Sequence, residues 1–578
     1  MDNIRFALLC ALGVLAFMLY QAWQADYSAT AEPPRPTQQQ QAAANSDATG
    51  RASDLAAPPQ QSDRSGKPEA DAAAAPGSDK RDRELAQGKT VHVVTDKLDV
   101  YIDTRGGDLR RVALLDVPVS ADRPDSSLRL INDTTPNFFI VQSGLSGGDA
   151  PDHNSLYKTQ QQEYELAQGQ DTLQVPLTWS DGNGHQVTKI FTFHRGSYRI
   201  DLEHEISNET NSAWDVSQYV RLWRTPFQLA GEIPFTKSFM GVGWYEALAD
   251  EDNKYRYEKR DGDKLDENPL TLTQRGGWIA MVQHYFLGAV VMPNNVDVKL
   301  FADARAVPGS DSGEGFAAGF ISAAQSVAAD GREELKTTLY IGPKEQDQLA
   351  ALAPGLELTV DYGWMTVLAK PIFWVLDKLH MVAGNWGVSI ILLTILIKLA
   401  FYKLSEKQYR AMARMRKFAP RMQQLREKYG DDKQQLQAKM MDLYKKEGFN
   451  PLAGCWPMLI QMPVFIALYW MLRGAVELRL ASFLWLQDLS APDPYYILPV
   501  IFGATMFLQQ RLQTNVTMDP MQQRMMQIMP LGMAVFFAFF PAGLVLYYCT
   551  NTLLSIAQQW YIYRKLDAEG LGHSAAAK

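Results

Sequence analysis

Lys398 stands inside an apolar run, Val388–Phe401. An ammonium there costs on the order of 3 kcal/mol to insert and marks either a functional path or a charge that reaches back to an interface along its alkyl stem. Lys403 lies five residues on, which gives the second reading a route. Thr394, four residues earlier, shares the helix face of Lys398. Other apolar stretches also carry polar positions. Gln461 lies between Ile460 and Met462, and Thr505 and Gln509 are four apart. Tyr548, Asn551, Ser555 and Gln559 fall on one helical stripe. A single stripe of this kind serves hydrogen bonding between helices. Several stripes around one lysine predict a polar groove inside a bundle, able to hydrogen-bond and to attract negative charge. Covalent chemistry has no candidate: no nucleophile–base pair and no metal-ligand spacing is present, so neither cofactor nor metal is expected. Gly88-Lys89-Thr90 ends like a phosphate loop, but Arg83 stands where its first glycine is required.

The elements that must position these residues divide sharply along the 578-residue chain. Mean hydropathy is −0.21, an average that hides the division. Phe6–Tyr20 is apolar after a single Arg5, and reads as a membrane anchor or a signal peptide. Ala29-Thr30-Ala31 fits a cleavage site, whereas the length of the run and the opposing Asp2 favour an anchor over 1–23. Residues 24–88, rich in Ala, Pro, Gln, Ser and Asp, lack the apolar surface to offset ordering entropy and read as a disordered tether. Residues 89–343 hold 24 Lys+Arg against 36 Asp+Glu and no cysteine. Alternation over 189–194 and 198–206, with β-rich runs at Val91–Ile102, Leu173–Trp179, Trp278–Met292 and Leu335–Ile341, predicts a large antiparallel β-sandwich. It must depend on its core rather than on disulfides.

From about 356 the period becomes helical. Residues 356–383 mix Trp364, Leu368, Trp374 and Leu379 with Asp361, Lys370, Asp377 and Lys378, and read as an amphipathic helix lying in the interface. Spans are expected at 384–404, 450–472, 495–511, 525–540 and 542–563, followed by a tail, 564–578. Between the first two of these, 405–449 carries twelve basic and six acidic residues and reads as a polar helical hairpin. That excess belongs in the cytoplasm. Loop 473–494 is net negative and suits the outer side. With the anchor, six spans result, with both termini inside and the sandwich outside. Seventeen of the 22 methionines lie beyond residue 364; thioethers suit surfaces that accept varied apolar partners, and also serve as ordinary membrane filler.

The string Asn450-Pro-Leu-Ala-Gly-Cys-Trp-Pro-Met-Leu-Ile-Gln-Met-Pro-Val-Phe465 resembles the third-span signature of the YidC/Oxa/Alb membrane protein insertases. Pro541-Ala-Gly-Leu-Val-Leu-Tyr-Tyr548 resembles the start of their last span, and the whole organisation resembles the Gram-negative form with a periplasmic domain. The resemblance implies a polytopic helical protein with an uncleaved anchor, a five-span bundle and a periplasmic super-sandwich similar to galactose mutarotases. It also implies a place in the bacterial inner membrane. It implies an insertase and folding factor that is not an enzyme and needs no nucleotide. The implied groove is Lys398, Thr394, Gln461, Thr505, Gln509, Tyr548, Asn551 and Ser555, and the implied exit slide is Met458, Met462, Met526, Met529 and Met533. Cytoplasmic recruitment would fall to Arg410, Arg414, Arg416, Lys417 and Arg421. Implied partners are nascent membrane proteins, the Sec translocon, the ribosome, the signal recognition particle receptor and phospholipids, without recognition of nucleic-acid sequence. The family's groove cation is usually Arg; Lys398 keeps the charge and loses the planar fork. Two rival functions stand beside this one. A solute transporter would call for an inverted repeat, which is not visible. A tethered sugar-binding or mutarotase-like protein would need an acid–base pair, for which His92, His153, His185, His194, His204 and His284 are the candidates.

Overall fold

Strands His185–His194 and Arg199–Asn208 alternate as their sequences require. Val187, Phe191 and Phe193 on one, and Ile200, Leu202 and Ile206 on the other, point inward and are buried. The computed structural model describes residues 87–226, 239–247, 255–308, 314–429, 432–446, 456–512 and 520–568. The proposed anchor and almost all of the tether lie outside the described residues. So do the hairpin turn at 430–431, the start of the third-span signature through 455, and the end of the tail.

Among the described residues seventeen strands form the β-domain. Their pairing is antiparallel except for Thr90–Val94 beside Glu163–Glu165. One layer runs from Thr172–Ser180 through 185–194 and 199–208 to Gly331–Pro343. The other joins Phe139–Ser146, Trp214–Arg224 and Phe316–Ser322. A long hairpin, Leu270–Val282 with Phe286–Ala304, serves both layers. Phe286–Val291 pairs with Thr338–Pro343, whereas Val298–Ala304 pairs with Phe316–Ser322. The hairpin turns between layers at a bulge across Arg275–Gly277. Gly276 has φ +62°, and a Cβ there would lie 2.6 Å from Asn294 Cα, so only glycine fits the corner.

The helical part begins with α1 (Gln346–Leu352) and continues with α2 (Thr366–Ala383), α3 (Trp386–Ala400), α4 (Tyr402–Tyr429) and α5 (Lys433–Lys446). It ends with α6 (Trp456–Gly474), α7 (Ile497–Leu512), α8 (Pro520–Phe537) and α9 (Ala542–Ala568). Gly384-Asn385 makes a sharp corner between α2 and α3. Gly384 adopts the left-handed conformation and closes α2 on the His380 carbonyl, and the Asn385 side chain then accepts from Val388 N–H at 3.2 Å. On α2, Ala369, Phe373 and Leu376 are buried while Val367, Trp374 and Met381, each seven residues apart, are exposed. One face packs on the protein and the opposite face exposes apolar side chains.

Several expectations are corrected. Val91–Ile102 is a hairpin of two strands, Thr90–Val94 and Leu98–Asp103, and Trp278–Met292 also contains a turn. Strand Trp214–Arg224 is not evident from sequence, because Asp215, Gln218, Arg221 and Arg224 mask its pattern; it is central and buried along nearly its whole length. The interfacial helix starts at 366 rather than 356, since Gly355 and Gly363 both have positive φ and leave short 3₁₀ turns before it. Helix α8 runs 520–537 where a span was expected over 525–540, opened by Pro520 and closed by turns before Pro541. Helix α3 stops at Ala400, four residues early, and α9 continues to Ala568. Among the described residues no single helix is long and apolar enough to cross a membrane, but α3 together with the start of α4, bent by 61°, is.

Lys189 points into the sandwich core and is fully buried. Its Nζ donates to the carbonyls of Gly106 and Ser143 and to Ser143 Oγ, and sits 5.0 Å from the centre of the Tyr157 ring. Burial pulls its pKa from 10.5 down to about 7, with Asp108 and Asp152 opposing. Between those values the unfolded chain binds the proton that the folded chain does not, so this residue makes stability rise with pH from about 7 and level off above about 10.5. The wild type should therefore gain on a Lys189→Met variant across that window, by no more than a few kcal/mol. Denaturant midpoints of both at pH 6, 8 and 10 measure this; a difference that stays flat refutes a dehydrated ammonium.

Candidate functional site

Four of the expected groove residues form one hydrogen-bonded chain across three helices. Lys398 Nζ on α3 donates to Ser555 Oγ on α9 at 2.7 Å. The Ser555 hydroxyl in turn donates to the Asn551 carbonyl one turn back, at 2.6 Å. Gln461 Nε2 on α6 approaches Asn551 Oδ1 at 3.5 Å. Ser555 and Asn551 are buried, whereas Lys398 and Gln461 are half-buried. No carboxylate is hydrogen-bonded or ion-paired to Lys398 among the described residues, so its charge meets a neutral hydroxyl. Lys398 thus points across the bundle instead of running along α3 toward Lys403, because Ser555 offers an acceptor where α9 crosses.

The remaining candidates divide. Thr394 is fully buried and donates to the Ile390 carbonyl of its own helix. Thr505 does the same toward Phe502. Gln509 lies one turn further along α7, half-buried. Among the described residues no hydrogen bond joins Thr394, Thr505 or Gln509 to the Lys398 chain. Tyr548 belongs to a different environment. Its ring meets Phe465 at 5.2 Å, Phe537 at 5.0 Å and Phe502 at 5.9 Å, so it is the hub of an aromatic plug rather than a rung of the polar face. Helices α7 and α8 close tightly beside this plug, where a Cβ on Gly503 would lie 2.9 Å from Ala534 Cβ. Of the methionines, Met462 and Met529 are exposed and Met533 is partly buried. The backbone places Met458 on α6 and Met526 on α8, and Arg414, Arg416 and Lys417 on α4; their side chains lie outside the described residues. Arg410 pairs with Glu406 one turn away, and Arg421 is exposed.

Two residues that escape sequence reasoning organise the ends of this bundle. Asp493, 1% exposed, sits in the outer loop and accepts from Leu498 N–H at 2.7 Å, Tyr495 N–H at 3.1 Å and Trp485 Nε1 at 3.3 Å. It caps the start of α7 and ties the loop across the outer end. The motif Asp493-Pro494 ahead of an apolar run was the available signal. At the opposite end, Tyr409 on α4 donates to the Ser555 carbonyl at 3.4 Å and packs on Ile562 and Leu566. Nothing in its local sequence distinguishes it from a surface tyrosine of a polar helix.

Residues 90–375 match the YidC periplasmic domain family, and residues 378–569 match the 60 kDa inner membrane protein family. The chain is 45% identical to a membrane protein insertase YidC of Thioalkalivibrio sulfidiphilus, over 99% of this chain and the whole of that one. It is 48% identical to the insertase of Alkalilimnicola ehrlichii over 85% and 86% of the two chains, and 44% identical to that of Methylococcus capsulatus over 98% and 99%. The chain belongs to the YidC family of membrane protein insertases. It is accordingly an inner-membrane protein with a periplasmic domain, and that domain is the β-sandwich. A solved YidC insertase with its first transmembrane domain resolved covers 83% of this chain and 96% of its own, at 19% identity and a TM-score of 0.37.

The YidC sandwich spreads its six candidate histidines apart. His92, His185 and His194 bond to carboxylates at the surface, on Asp99 and Glu163, Asp181 and Asp201 respectively. His153 bonds to Tyr219 and His204 to Gln218, both in the core, and His284 reaches the Arg473 carbonyl at the joint with the bundle. Each is a structural partner in its own place. At the outer end of the bundle, replacing Asp493 with Ala should strand the N–H groups it satisfies and cost about 2 kcal/mol. Asp493→Asn should retain most of the cap. Thermal unfolding of both variants in detergent tests this, and equal loss in the two would assign the effect to charge instead.

Proposed function

We propose that this chain inserts membrane proteins by receiving a short polar segment of the incoming chain in the groove of α3, α6 and α9. The segment moves outward while its apolar flank leaves into lipid along α6 and α8. The observation that carries this reading is Lys398, a cation inside the bundle whose hydrogen-bond partner is a neutral hydroxyl. Such a charge attracts acidic residues of a passing segment, and a polar lining lowers the desolvation cost of the segment's backbone. The aromatic plug around Tyr548 and the Asp493 cap support a groove shut toward the outside. The exposed apolar residues Met462, Met529, Leu531 and Val535 support an exit into lipid. The step needs no covalent chemistry and no cofactor.

The same reading assigns six spans with both termini cytoplasmic, counting the anchor over 1–23. The net +6 of 405–449 supports a cytoplasmic hairpin, with Arg410, Arg414, Arg416, Lys417 and Arg421 available to recruit ribosomes, the signal recognition particle receptor or anionic phospholipids. Work with the Sec translocon and work alone both fit a groove open to lipid.

Lys398→Arg should support insertion, because charge rather than a particular geometry is at work. Lys398→Ala should lower the yield severalfold for substrates with acidic translocated segments and less for neutral ones. Protease protection of a small substrate in inverted vesicles measures both. If Lys398→Ala treats acidic and neutral substrates alike, charge attraction is not the mechanism here.

A further inference from the structure

Ser555 is held from two sides. Its hydroxyl takes the Lys398 ammonium, and its main-chain carbonyl accepts from the Tyr409 hydroxyl at 3.4 Å. Tyr409 lies near the base of the cytoplasmic hairpin and is itself buried. It packs on Ile562 and Leu566 and meets Tyr563 edge-on at 6.1 Å. Positions 555, 559, 562 and 566 make one stripe along α9. The contacts of Tyr409 therefore bracket position 559.

Gln559 occupies that position and is 1% exposed. Neither its Oε1 nor its Nε2 meets a hydrogen-bond partner among the described residues. A buried, unsatisfied primary amide is a costly arrangement, and an apolar side chain of the same size would pack there more favourably. A local rule broken without compensation is a mark of function. Asn551, Ser555 and Gln559 follow one another at single turns on the same face of α9. The first two belong to the groove, and Gln559 is the next rung toward the cytoplasm.

We propose that Gln559 is a substrate-binding residue of the groove, sheltered beneath Tyr409, and that release of Tyr409 from α9 uncovers its amide for the peptide backbone of the incoming segment. This rests on the groove reading given above. A primary amide carries donors and an acceptor, and a peptide group carries one of each, so a single glutamine can pair with a backbone unit without reading its side chains. That suits a ligand of varied sequence: Lys398 responds to charge and Gln559 to backbone. The bond that holds the cover is long and goes to a carbonyl at a helix position, so release breaks little. Hairpin position and the cytoplasmic mouth of the groove become one equilibrium, and a substrate that binds the open state shifts it.

The test uses the full chain in membrane vesicles with Cys10, Cys455 and Cys549 replaced by Ala. Single cysteines are introduced as Ser555→Cys or Gln559→Cys, and a substrate carries one cysteine in its polar segment. Disulfide trapping is expected at both positions, with the yield at 559 rising severalfold when Tyr409→Ala is added. Trapping at 555 without trapping at 559 overturns the proposal; trapping at neither overturns the groove reading beneath it. A second measurement separates binding from packing. Gln559→Leu should keep or raise thermal stability while lowering insertion severalfold. Insertion at the parental level, or a joint loss of stability and insertion, would assign Gln559 to structure alone.

Discussion

An ammonium group in an apolar helix bundle must find acceptors or retreat to water, and much of the arrangement of this bundle follows from where Lys398 finds one. Ser555 supplies it from α9, which fixes the facing of α3 against α9. Asn551 then extends the polar line to Gln461 and so to α6. A polar seam therefore runs through three helices. Among the described residues the partner of Lys398 is neutral, and a buried cation without a counter-ion is a group that can attract a ligand.

The sandwich handles the same constraint in the opposite way. Lys189 spends its donors on backbone carbonyls and a hydroxyl. Asp108 faces Arg110 at 3.1 Å and Gln142 at 2.9 Å, and Arg221 donates to Gln142 in turn. This network ties strand Trp214–Arg224 to its neighbours through Arg221.

The two parts are joined by named contacts. Arg479 of the outer loop donates to the Pro118 and Val119 carbonyls of the sandwich at 2.9 Å, and His284 reaches the Arg473 carbonyl at 3.0 Å. Lys259 pairs with Asp361 beside the interfacial helix. Glu477, half-buried at this joint near Glu345, Asp377 and Asp347, is raised to about 7, by desolvation first, with these carboxylates adding to it. The β-domain is thus seated on the outer loop and on the lead into α2, well away from Lys398.

The sequence by itself determined the division into an acidic β-domain and a basic helical part, the polar helices after residue 402, an amphipathic helix ahead of the bundle, and the family. Each of these depends on period, composition or a contiguous motif, all of which are local properties of the chain. It also marked Lys398, Ser555, Asn551 and Gln461 singly, since a polar residue in an apolar run is visible without a partner. Tertiary structure decided which of them meet. Thr394, Thr505 and Gln509 looked equivalent to Ser555 along the chain, yet among the described residues no hydrogen bond joins them to Lys398, because partnership depends on where α9 crosses α3. Tyr548 moved from the polar face to an aromatic plug for the same reason. Strand 214–224 and the Tyr409 contact escaped sequence reading, since their polar side chains are buried against partners dozens to hundreds of residues away, and no local pattern records that distance.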